Sequence, residues 1–182
     1  GLFYIDEFLR HYRDLGAAQF VFCDNGSTDG TVERLATESD CVVLRSDLPW
    51  GEVENLFRRH AAERYAPERW CIFADMDEIF AFEGDTAHGL PGLTARLDAG
   101  AYTALVAQML EMAPRASLSE ASRWSYAQAL ERFKWYDLSN VERMDYHDPQ
   151  IGFAWYLRQN SLSNSQVQIM FGGLRKRVFG EH

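Results

Sequence analysis

Two short acidic strings carry the chemistry of this chain. One is Asp75-Met76-Asp77-Glu78, directly after the strand-like run Trp70-Cys71-Ile72-Phe73-Ala74. A strand sends alternate side chains to the same face, so Asp75 and Asp77 are expected to point the same way as the chain leaves a sheet. Carboxylates so close repel one another unless a cation sits between them. Their hard oxygens suit Mg²⁺ or Mn²⁺, an ion that substrate phosphates usually complete. As a bare motif, the same residues also read as a polar turn in which Asp77 caps a helix. The second string is Asp24-Asn25-Gly26-Ser27-Thr28-Asp29-Gly30-Thr31, fed by the apolar run Phe20-Val21-Phe22-Cys23. Its turn formers are those of an ordinary strand-turn-helix link, with Asp29 or a hydroxyl capping a helix from Val32 to Glu38. Ligands of open α/β sheets bind outside the carboxyl ends of the strands, where Asp24 and Asp75 both fall.

The elements that must position these strings alternate. Ile5, Phe8, Leu9, Tyr12 and Leu15 follow helical spacing, with Gly16 placed to stop the helix. Strands are expected at Gln19–Cys23, Cys41–Leu44, Trp70–Ala74 and Tyr102–Met109. Helices are expected after Asp29, through Val53–Tyr65, and from Leu90 to Leu97 before Gly100. The pattern predicts an α/β fold with a mostly parallel central sheet and helices on both faces. Beyond Glu111 it weakens. We read residues 1–182 as one domain with two parts, residues 1–112 and the less regular residues 113–182.

Composition fits a globular chain: 182 residues, 47% hydrophobic and 14% aromatic. A net charge of −9 argues against a nucleic-acid or anionic-membrane surface. No apolar run reaches the roughly twenty residues that span a bilayer. Three cysteines without Cys-x-x-Cys spacing read as buried thiols.

The two strings together resemble family 2 glycosyltransferases, nucleotide-sugar-dependent enzymes of the GT-A fold. The nearer likeness is to a bacterial branch opening on a helix that here reads Tyr4-Ile5-Asp6-Glu7-Phe8-Leu9-Arg10-His11-Tyr12-Arg13-Asp14-Leu15-Gly16. The resemblance covers Tyr4 to about Met112 and resumes at Gly172-Gly173-Leu174-Arg175-Lys176-Arg177. It implies transfer of a sugar from a nucleoside-diphosphate sugar to an acceptor hydroxyl, in a Mn²⁺- or Mg²⁺-dependent site. It gives Asp77 the direct metal role, Asp75 a role towards ribose or metal, and Asp24 a contact to base or ribose. It also implies a cropped chain, since the family has a strand before this helix and continues beyond the Gly-Gly segment. The expected location is cytoplasmic, with any membrane association carried by regions outside this chain.

An inverting transfer needs a base for the acceptor proton, and a carboxylate is the usual choice. Glu111 follows an expected strand and ranks before Glu131, Asp145 and Asp148. Arg175, in the Gly-Gly segment, could reach a diphosphate or could edge a solvated hairpin. His147 reads as a surface histidine more readily than a metal ligand. Trp124, Trp135, Tyr136 and Trp155 could stack on an acceptor sugar, although most such aromatics are core. Two alternatives stand beside this reading. One is a haloacid-dehalogenase-type phosphohydrolase, from the strand-Asp-x-Asp pattern. The other is a sugar-nucleotide-binding fragment without turnover.

Overall fold

A computed structural model describes residues 1–145 and 168–179. Two compact units divide at Leu105 and Val106, inside the segment expected to be the Tyr102–Met109 strand.

The first unit is built on two parallel strands, β1 (Phe20–Asp24) and β2 (Cys41–Arg45), paired from Phe20↔Cys41 to Asp24↔Arg45. Period-two alternation puts Phe20 and Phe22 on one face of β1 and places Cys41 and Val43 beside them. These four pack with helix α1 (Ile5–Asp14), whose Ile5, Phe8, Leu9 and Tyr12 are buried. Burial of that many large apolar side chains is the main force holding the unit together, at roughly 1.5–3 kcal/mol for each one fully buried. Helix α2 (Thr31–Leu35) links the strands and adds Leu35 to the same core. Helix α3 (Trp50–Tyr65) packs along β1.

Charges tie α1 to the α2–β2 link. Arg13 forks onto both oxygens of Asp40, at 2.8 and 2.6 Å, and reaches Glu38 at 2.6 Å. Arg34 joins the same Glu38 to Asp6 on α1. Helix α1 stops at Gly16, whose φ of +95° lets Gly16 and Ala17 return amide bonds to Arg13 O and Tyr12 O. Helix α4 (Asp85–Ala99) bends at Gly89, where φ is +56°, and docks there on the end of α1. Leu90 donates to Leu15 O at 2.7 Å. A Cβ on Gly89 would stand 2.7 Å from Leu15 O, and one on Gly16 would stand 3.0 Å from the Pro91 ring.

Two expected strands are not strands. Trp70–Ala74 and Tyr102–Met109 carry no ladder bonds among the described residues. The physical reason lies in their surroundings. Strand composition records fitness for a half-buried pleated surface, and pairing must come from a neighbour. Ile72, Phe73, Tyr102 and Leu105 are instead exposed. The sheet of this unit therefore has two paired strands rather than a broad parallel array, and the GT-A arrangement is not visible in it.

The second unit contains α5 (Leu118–Ala121), α6 (Tyr126–Arg132), the antiparallel pair β3 (Glu142–Asp145) and β4 (Gln168–Phe171), and α7 (Gly173–Phe179). Ser125 and Gln128 form a reciprocal capping box that starts α6. Arg115 stacks 3.7 Å from the Trp135 ring centroid, next to the Ala113↔Trp135 bridge. The Gly172–Arg177 segment enters a helix, not the hairpin weighed from sequence. No helix among the described residues is long and apolar enough to cross a membrane.

Candidate functional site

The Asp24 loop builds itself. Asp24 ends β1 with a carboxylate that is almost entirely buried. It accepts the amides of Gly26 at 3.2 Å and Ser27 at 3.1 Å, folding the chain back in an Asx-type turn. Arg45, its register partner on β2, lies 3.6 Å away. Burial alone would push this carboxyl up. The bonds from Ser27 and Gly26, with the Arg45 charge, outweigh it and hold Asp24 below the usual carboxylate range. Asp29 closes the loop by accepting from Thr31 N at 3.1 Å and from Leu2 N at 3.0 Å. Asp29 therefore fastens the start of α2, as its position suggested, although Gly30 occupies the residue just before the helix.

The Asp75–Glu78 turn is held mostly from outside. Within the turn, the Glu78 carboxylate accepts from Asp75 N at 2.9 Å, and Glu78 N donates to Asp75 O at 3.0 Å. Glu78 is thus spent on closing the turn. The remaining supports come from distant elements. The buried Tyr12 hydroxyl donates to Glu78 O at 3.1 Å and accepts from Phe80 N at 3.2 Å. His11 Nε2 donates to Phe80 O at 2.9 Å. Arg58 on α3 binds Asp75 Oδ1 at 3.1 Å. Met76 packs against the core. Asp77 is exposed and carries no partner among the described residues.

The two strings meet. Met76 Cε and Thr31 Oγ1 converge on one point, since a Cβ on Gly1 would stand 2.6 and 2.8 Å from them. Arg58, which grips Asp75, also throws its charge onto Cys23, the neighbour of Asp24. The acidic turn therefore lies beside the loop at the carboxyl end of β1. The support that Tyr12, His11 and Arg58 give the turn was not read from sequence, which placed Tyr12 only on the apolar face of α1. Their contacts join positions 66 to 69 residues apart for the α1 pair and 17 apart for Arg58, and no local pattern announces them.

The other expected residues lie in the second unit. Glu111 lines a small, largely apolar hollow with Met109, Leu138, Met170 and Leu174. Arg175 falls within α7. Glu131 is exposed on α6, and Asp145 ends β3. His147, Asp148 and Trp155 lie outside the described residues. Among the described residues, no three His, Cys, Asp or Glu side chains gather as a metal cage. Asp77, with no partner among the described residues, and Asp75, exposed at 62% despite its ion pair, supply at most two carboxylate ligands there. That donor set fits a hard cation completed by phosphates and water better than a protein-enclosed one.

Over 95 residues, 50% of this chain, the sequence is 30% identical to a glycosyltransferase family 92 protein of Arabidopsis thaliana, At1g27200. The matched part is 16% of that protein's length, so the chain spans about a sixth of this curated relative. No protein-family model matches the chain, and no solved structure matches it significantly. The relation found is a distant one to a glycosyltransferase, and it lends no support to family 2 in particular.

Proposed function

We propose that this chain is the nucleotide-sugar-binding part of a glycosyltransferase of GT-A type, with the donor seated at the carboxyl end of β1. The observation that carries the proposal is the convergence of the Asp24–Thr31 loop with the Asp75–Glu78 turn. Distant similarity to a glycosyltransferase lends it weight. In this reading Asp24 and its tightened loop border the nucleoside, and the exposed edge of the acidic turn faces the diphosphate. Asp77, with Asp75 beside it, would hold Mn²⁺ or Mg²⁺. Such an ion, when bound, supplies Lewis acidity for the charge that builds on the leaving diphosphate. The chain's own contribution is placement, because a turn closed by Glu78 and gripped by Tyr12 presents Asp77 in one orientation. Glu111 as the base for the acceptor proton of an inverting transfer and Arg175 as a diphosphate contact rest on their sequence positions alone. Family 2 membership is carried only by the two motifs. Both this reading and the phosphohydrolase expect Asp75 at the end of a paired strand, and Trp70–Ala74 is unpaired among the described residues, so the two are separated by the test below.

Calorimetric titration of UDP-, GDP- and dTDP-sugars with and without Mn²⁺, in the parent and in Asp77→Ala, tests the proposal. Metal-dependent binding in the parent alone is expected. Equal affinity in all four combinations would remove the metal from the reading, and Asp75-dependent hydrolysis of phosphate monoesters would replace it with the phosphohydrolase.

A further inference from the structure

Arg58 ties the acidic turn to helix α3. Its Nη2 binds Glu54 Oε1 at 2.7 Å, one turn back on α3, and Asp75 Oδ1 at 3.1 Å on the acidic turn. Glu54 anchors the guanidinium to the helix, and α3 in turn packs along β1. The group is well covered, with 23% of the side chain exposed. Its positive charge also favours the thiolate of Cys23, next to Asp24. Among the described residues the Asp75 carboxylate has no other charged partner.

We propose that Arg58 is the positioning residue of the donor site, holding the Asp75 carboxylate against the carboxyl end of β1 and so setting its distance from the Asp24 loop. This inference rests on the donor-site reading above. Two physical consequences give it content. The turn carries three acids: Glu78 closes it on the Asp75 amide, Arg58 neutralises Asp75, and Asp77 alone has no partner among the described residues. Asp77 is thus the carboxylate left open to a divalent ion with a diphosphate. In addition, a guanidinium is a planar, always charged fork, so it fixes direction as well as charge. A lysine at position 58 would keep the charge and lose the geometry.

The test compares the parent with Arg58→Met, which keeps bulk without charge, and Arg58→Lys, which keeps charge without the fork. Two readouts are taken on each. The first is Mn²⁺-dependent affinity for UDP-, GDP- and dTDP-glucose by calorimetry. The second is the rate of Cys23 alkylation at about pH 8, followed peptide by peptide, because thiol reactivity follows the thiolate fraction. Burial raises the Cys23 thiol, and the Arg58 charge pulls it part of the way back. Arg58→Met should therefore slow Cys23 alkylation, while Arg58→Lys should leave it near the parent rate. Donor affinity should weaken about tenfold or more in Arg58→Met, the usual cost of losing a group that orients a metal ligand, and recover only in part in Arg58→Lys. Glu54→Gln, which loosens the anchor and spares the charge, should fall between parent and Arg58→Met. A merely structural role would lower the melting temperature and leave affinity untouched. Parent-like donor affinity in folded Arg58→Met overturns the proposal and leaves the donor site standing. A parent that binds no nucleotide sugar while Cys23 still responds to Arg58→Met overturns the donor site, and the positioning role with it.

Discussion

The Asp24 loop and the Asp75–Glu78 turn present similar residues in opposite ways. The loop is internally closed around a buried Asp24, which is bonded to amides two and three residues ahead. The turn is open to solvent, and most of what fixes it belongs to α1 and α3. A self-closed loop makes a rigid wall. A turn gripped from behind leaves its outer carboxylate free for a ligand. Stability therefore resides in the first, and ligand contact in the second.

Substitutions at each site should separate these roles. Asp24→Ala removes a buried carboxylate that accepts the Gly26 and Ser27 amides and partners Arg45. It should cost about 2–3 kcal/mol by urea denaturation, a loss typical of a broken buried hydrogen-bonding group. Tyr12→Phe keeps the ring packed on Phe8 but leaves Glu78 O and Phe80 N without the hydroxyl. A smaller loss of about 1–2 kcal/mol is expected, with faster hydrogen exchange at the Phe80 amide as the local sign. If exchange at Phe80 is unchanged, the turn is not held by Tyr12. Acid should act on the self-closed side of the molecule first. Asp24 lies below its ordinary value despite burial, through its Ser27 and Gly26 bonds; Asp40 and Glu38 lie below theirs chiefly through Arg13 and Arg34. A carboxyl depressed on folding contributes stability above its unfolded pKa and loses it as pH falls. The melting temperature should thus hold above about pH 4.5 and decline below it. Asp77→Ala should change stability least, within about 0.5 kcal/mol, since the side chain is exposed and unpartnered among the described residues. The same variant should lose Mn²⁺-dependent donor binding, and a large melting-temperature change would erase the contrast between the two strings.

The comparison also explains what the sequence disclosed. α1, β1, β2 and α3 were legible because each depends on local periodicity and on stop residues such as Gly16. The closed Asp24 loop was legible for the same reason, since its bonds span two or three residues. Trp70–Ala74 misled, because apolar, β-prone residues announce a surface that can pair and say nothing of whether a partner is present. The grips of Tyr12 and His11 on Glu78 and Phe80 were invisible, being products of how α1 docks rather than of any nearby pattern. Asp75 and Asp77 were singled out as a matched pair. The fold makes them unequal, one engaged by Arg58 and one open to solvent.

The docking of α4 on the end of α1 has a consequence for variation at two distant positions. A side chain at 89 would collide with the Leu15 carbonyl, and one at 16 would press on the Pro91 ring, with both backbones already in the left-handed region. Neither position tolerates replacement while the junction keeps its shape. In related chains, glycine at 16 and glycine at 89 should therefore be retained together or lost together. A chain that has lost both should show a rebuilt α1–α4 corner, often with an insertion or deletion near Pro91. Deep mutational scanning would show the same rule as a shared intolerance at two positions that no motif connects.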